Sequence, residues 1–426
     1  LVSRIGFDED TGRRAHGRHR AGLFFGKLVA VAIAAVTAGC NTSGSRGSLG
    51  GASLSAPTIP VESQPLAGPA NAGSDQIGSG PVRVGLIVPL TQGTGPSVVG
   101  QSLRNAAALA LSEAGSQDIT LLVKDDLSTP DGAKAAASAV LSDGAELIIG
   151  PLYSPNVREV GNLARAAGKP VIAFSTDTSV ASRGVYLLSF LVENYVDRIV
   201  DYAAASGKKS FAALIPDNDY GRVAEAELQQ AAARRGVRVE IIEHYASPAQ
   251  VGSAAQAIAA AASQIDALFI PEQADAMPAI AQVLTADKLD SHHVQILGTG
   301  LWNDARVLGL PALQDAWFAA PDSRGFTAFA EHYRAKFGSD PTRIATLAYD
   351  AVSLVAALAR TQGSQRFAES VLTNPAGFNG ADGVFRFHPD GQNERGLAVL
   401  AIGAGTTTVI SAAPHSFSGS GAAAGG

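Results

Sequence analysis

Residues 145–177 (AELIIGPLYSPNVREVGNLARAAGKPVIAFSTD) constrain the fold more than any other stretch of the chain. Two short, continuous apolar runs at 146–149 and 170–174 flank a segment, 154–167, whose apolar residues recur at helical spacing. Unbroken apolar runs suit strands covered on both faces, so the pattern predicts a strand-helix-strand unit in a parallel sheet. Ligands meet such sheets outside the carboxyl ends of the strands. Those ends carry Tyr153, Ser154, Ser175, Thr176 and Asp177, polar side chains able to hydrogen-bond a small polar solute.

The same alternation extends on both sides. VRVGLIVPL from Val82 and ITLLVKDD from Ile119 are strands, separated by a helix that keeps Val99, Leu103, Ala107, Ala110 and Leu111 on one face. After a crossover near 188–193 the pattern repeats: helices at 195–205, 220–234, 249–262 and 274–286 alternate with FAALIP, VRVEIIE, DALFIP and VQILGT. Two further helices, 326–337 and 344–359, are expected to return to the first lobe. The remainder alternates like short antiparallel strands, with a turn at Pro389-Asp390-Gly391. With 46% hydrophobic and 16% charged residues in 426, there is apolar material for two lobes. The expected fold is α/β, with two doubly wound Rossmann-like lobes joined by several crossovers. The first lobe is expected from 81–190 plus about 321–372, the second from 191–320 plus about 375–411, and 412–426 as a frayed tail.

The amino-terminal region reads differently. Arg13, Arg14, Arg18, Arg20 and Lys27 precede an apolar run at 28–36 that leads into Thr37-Ala38-Gly39-Cys40. A basic region, a short apolar stretch and small residues form an export signal, too short to span a membrane as a stable helix. The block resembles a bacterial lipoprotein signal, which implies removal of 1–39 and lipidation of Cys40; Thr37 departs from the usual Leu or Val. Cys40 is the only cysteine, which excludes an internal disulfide and a cysteine-cluster metal site. Asn41 after it favours, by the same resemblance, the outer membrane over the inner. Residues 40–80 are rich in Gly, Ser, Pro and Ala and are expected to form a disordered tether, reaching about 35 Å. Without 1–39 the chain holds 26 Lys/Arg against 35 Asp/Glu, a net charge of −9, and no basic run that would suit nucleic acid.

Several short matches, in order, carry a family resemblance: VGLIVPLTQG at 84–93, with Gln92 inserted before Gly93, KDDLS at 124–128, IGPLYS at 149–154, PVIAFST at 170–176, DNDYG at 217–221, LAYDAVSL at 347–354 and FNGADGVFRFHPDG at 378–391. Together they resemble the type 1 periplasmic binding proteins of the leucine-binding group. The resemblance implies that hydroxyls and backbone N–H groups of the first lobe, here at Ser154 and Ser175, hold a ligand carboxylate. It also implies a second-lobe acid for the ammonium of an amino acid, yet Gly300 falls near that place and Asp177 where Thr is common. A ligand carboxylate about 4 Å from Asp177 would meet repulsion of roughly 4 kcal/mol at an effective dielectric of 20, so an α-amino acid is not the expected ligand. Tyr220, Thr299 and Trp302 are expected to face the cleft from the second lobe. The wording of FSTDTSVASRGVYLLSF and DGVFRFHPDGQNERGLAVL is closest to the penicillin-binding protein activator lipoproteins, implying contact with a peptidoglycan synthase. The alternative is a substrate-binding lipoprotein of an ABC importer, with the ABC permease as partner.

Other candidate chemistries are weaker. Gly93-Thr94-Gly95 lacks the spacing and the Lys-Ser/Thr of a phosphate loop. Asp125 and Asp126 alternate across a strand end and suit a turn better than a shared metal, and His292-His293 have no third ligand nearby. Ser154 and Ser175 have no nucleophile context. The expected protein is not an enzyme and carries no cofactor or metal.

Overall fold

The computed structural model describes residues 76–417. The expected signal at 1–39, Cys40, most of the expected tether and 418–426 lie outside the described residues.

The strands of the central unit, Leu147–Ile149 and Val171–Ala173, are wholly buried and pair in parallel, Ile148 opposite Val171. The helix between them, Ser154–Ala166, buries Val157, Val160, Gly161 and Ala164, residues three or four apart on one face. Gly161 lets Val185 of the next strand pack against that face, since a Cβ there would lie 3.1 Å from Val185 Cγ2. Gly168, at φ +65°, follows the helix end. The turn after Leu147–Ile149 also needs glycine: at φ +88° a Cβ on Gly150 would lie 1.9 Å from the Ile87 carbonyl oxygen. That turn sets Tyr153 and Ser154 at the sheet's carboxyl edge.

Around this unit the first lobe forms a six-stranded sheet, ordered Gln76–Gly78, Ile119–Asp125, Val82–Val88, Leu147–Ile149, Val171–Ala173, Val185–Leu187. All its pairs are parallel except the first. The second lobe is seven-stranded, ordered Arg238–Tyr245, Ser210–Pro216, Ala267–Phe269, Gln295–Gly298, Trp317–Ala320, Ala398–Gly403, Thr406–Ser411, with the last two antiparallel. The chain passes between lobes at 188–191, 321–322 and 396–397. Helices Ser323–Phe337 and Ala345–Thr361 return to the first lobe, where Phe329, Tyr333, Leu347, Val352 and Val355 join its core.

Three expectations need correction. Residues 76–78, expected in the tether, form an edge strand on Ile119–Asp125: its three residues complete the hydrogen bonding of an otherwise open edge. The stretch Phe378–Arg395, expected in the second lobe, forms its own three-stranded sheet whose Phe385 and Phe387 enter the first lobe's core; only the strands from Ala398 join the second sheet. The expected frayed tail is ordered as far as Phe417, which is buried with the Arg386 guanidinium 4.5 Å from its ring centroid.

Candidate functional site

A cleft of about 730 Å³ opens between the lobes, against about 370 Å³ for a depression beside Tyr245 on the second lobe. It lies within the range of about 300–1,000 Å³ in which proteins hold small molecules.

On the first-lobe side the wall contains Tyr153 and Ser154, at the start of Ser154–Ala166, and Ser175, Thr176 and Asp177, after Val171–Ala173. These five, grouped in the sequence at two strand ends, lie together along this wall. Tyr153 supplies no side-chain cap to the helix, so backbone N–H groups of its first turn have no such partner. Ser175 Oγ accepts from the Asp177 amide at 3.1 Å, which shapes the turn. Asp177 is committed to its own lobe: Oδ1 accepts from the Ser179 amide at 3.0 Å, capping the turn Thr178–Val180, and Oδ2 lies 3.9 Å from Arg158. Burial opposes its charge, but hydrogen bonds from Ser179 and Ser154 and the Arg158 guanidinium hold its carboxyl below the usual range.

From the second lobe come Val192, Tyr195, Tyr220, Gln273, Gly300, Leu301 and Asn303. Asn218 caps the helix Asp219–Arg235 through the Gly221 amide, which places Tyr220 in its first turn at the cleft. The Tyr220 and Thr299 hydroxyls are 2.8 Å apart, and burial pushes the Tyr220 phenol up. Thr299 is buried behind Tyr220 and not part of the wall, so it acts on the cleft through that hydroxyl. Trp302, expected at the wall, is fully buried in the second lobe's core. The turn Gly300–Trp302 swings it inward over Gly298, where a Cβ would lie 2.2 Å from its ring, and leaves Leu301 at the cleft.

Sequence reasoning missed the cleft floor. Phe190 on the first crossover and Arg343 before Ala345–Thr361 both line the cavity. The Arg343 guanidinium lies 4.7 Å from the ring centroids of both Phe190 and Phe326 and donates to both carboxylate oxygens of Asp382, at 3.0 and 2.7 Å. Arg395 is buried, 4.7 Å from the Phe190 centroid, and donates to the Ser189 carbonyl at 3.0 Å. An isolated Arg between loop residues gives no local signal; only its neighbours from other segments mark it.

The remaining motifs take structural roles. Asp125 Oδ1 accepts from the amides of Leu90, Thr91 and Leu127, and Asp126 from the Ser128 amide and the Asn156 side chain. His292 and His293 are exposed. Among the described residues no group of three or more His, Cys, Asp or Glu is placed to hold a metal ion.

Two doubly wound lobes with one cleft between them, met by the carboxyl ends of both sheets, define the type 1 periplasmic binding protein fold. The periplasmic binding protein family model matches residues 81–407, and the chain belongs to that family. The family is periplasmic. The chain resembles the structure of a putative branched-chain amino acid ABC transporter from Rhodospirillum rubrum (18% identity, 77% of this chain and 99% of that one, TM-score 0.68). It also resembles an ABC transporter solute binding protein from Rhodopseudomonas palustris BisB5 in complex with 3,4-dihydroxy benzoic acid (21%, 78% and 98%, 0.56). A third is an ABC transporter substrate-binding protein from Desulfitobacterium hafniense in complex with Leu (18%, 77% and 99%, 0.57). At these identities the likeness is one of fold. The sequence matches no curated protein.

Proposed function

We propose that the chain is a non-catalytic, lipid-anchored periplasmic receptor that captures a small polar solute between its lobes and presents it to an ABC permease. The observation that carries this reading is the cleft itself: an apolar cavity into which polar groups converge from both lobes, as small-molecule sites require. On this reading Tyr153, Ser154, Ser175 and Thr176 contact the solute from one side and Tyr220 from the other, and the crossovers at 188–191, 321–322 and 396–397 act as the hinge. The similar structures support transport, since all three are of ABC transporter proteins. Cys40 in its lipoprotein-like context supports the anchor, and Asn41 beside it the outer membrane. No feature of the fold or cleft favours contact with a penicillin-binding protein.

Thermal unfolding of the full chain against a panel of small carboxylates, amino acids and amides tests the reading. A solute at a hundred times its dissociation constant adds about 2.7 kcal/mol and should raise the midpoint by several degrees. An unchanged midpoint with every solute would remove the receptor function.

A further inference from the structure

The charges of the cleft narrow the solute class; this inference rests on the receptor reading. Only Asp177 and Arg343 among the lining residues carry a formal charge. Asp177 is engaged by Arg158 and by the Ser179 amide, so it is not a free anion for a ligand. Glu193, next to the lining residue Val192, is not itself in the lining: Oε1 accepts from the Thr178 hydroxyl at 3.1 Å, Oε2 is buried without a partner, and burial raises the pKa of the group. The lining therefore offers an ammonium group only Asp177, which is already held by its own lobe, and burying an unpaired ammonium is costly.

The opposite holds for an anion. Arg343 is fixed by two aromatic rings and by Asp382, with 41% of its side chain still exposed. A guanidinium has more donors than Asp382 takes. A second guanidinium 4.7 Å from the Phe190 centroid, Arg395, has Nη1 and Nη2 buried without a hydrogen-bond partner, with Asp350 Oδ2 3.9 Å from Nη1. Two guanidiniums, Arg343 and Arg395, thus stand with Asp382 and Asp350 beside walls made of Leu152, Phe174, Val192, Ile344 and Leu347, and of the four only Arg343 lines the cleft.

We propose that the cleft takes a carboxylate with an aromatic or branched aliphatic body and no ammonium group, and that Arg343 recognises the carboxylate. Calorimetric titration of the full chain tests this with pairs that differ only in the α-amino group, 4-methylpentanoate against L-leucine and 3-phenylpropanoate against L-phenylalanine. The amine-free member of at least one pair should bind at least tenfold tighter, and Arg343→Gln should weaken that binding at least tenfold, with Arg343→Lys retaining more of it. Equal or tighter binding of the amino acids would overturn the substrate class while leaving the receptor reading intact. Unchanged affinity in Arg343→Gln would overturn the assignment of that residue. Silence with all four compounds would overturn the substrate class, while the receptor reading stands or falls with the wider panel of solutes. Because Arg343→Gln also frees buried Asp382, the comparison within the unaltered protein decides the substrate class even if the variant fails to fold.

Discussion

Gly300 packs its backbone against the ring of Tyr195: a Cβ built there would lie 2.5 Å from Cε1 and 2.6 Å from Cζ. Tyr195 is buried apart from its edge at the cleft, so a side chain at 300 would have to displace a packed ring. The space that a side chain at this position would need is occupied by that ring, which suits the glycine found where the family resemblance would have a second-lobe acid for amino-acid ligands.

Gly300→Ala is accordingly expected to destabilise the protein by about 1–3 kcal/mol through overpacking. Urea denaturation measures it, and Tyr195→Leu in the same chain should recover part of the loss. An alanine tolerated without cost would mean that the ring moves freely.

Tyr220→Phe should cost about 1–3 kcal/mol, because it leaves the Thr299 hydroxyl buried with no partner across the 2.8 Å hydrogen bond. Adding Thr299→Val removes the orphaned group and should restore much of the stability. A double-mutant cycle with zero coupling would show that the two hydroxyls do not interact.

Stability should depend on pH through Asp350. Burial raises its carboxyl from 3.8 to about 7, with Arg395 only partly opposing the shift. A group whose pKa is raised on folding contributes stability below its unfolded value and loses that contribution as pH rises through the folded value. The unfolding midpoint should therefore climb as pH is lowered from 8 toward 5, and Asp350→Asn should flatten that slope. An identical slope in the variant would assign the dependence to other groups.

Phe417→Ala should destabilise the body by about 1–3 kcal/mol, since it removes a buried ring stacked under Arg386 and packed against Gly377. Guanidinium denaturation of the two proteins checks it; an unchanged midpoint would return 412–417 to the status of a loose tail.

What the sequence determined by itself is the order of elements and the polar rim of the first lobe. Parallel strands are covered on both faces, so runs such as 146–149 and 170–174 stay apolar without interruption, and helices between them keep a 3.6-residue period; both signals are local. The residues that end those strands are equally local, which is why Tyr153, Ser154, Ser175, Thr176 and Asp177 could be placed together in advance. Only the tertiary structure decided the cleft floor and the inward or outward sense of the second-lobe wall. Arg395 reaches the Ser189 carbonyl across 206 positions of chain, and Arg343 finds Asp382 and Phe190 from separate segments, so no window of sequence contains the partners. Thr299, Leu301 and Trp302 differ in exposure because one tight turn rotates successive side chains to different sides, a matter of backbone angles and packing that residue type alone does not encode.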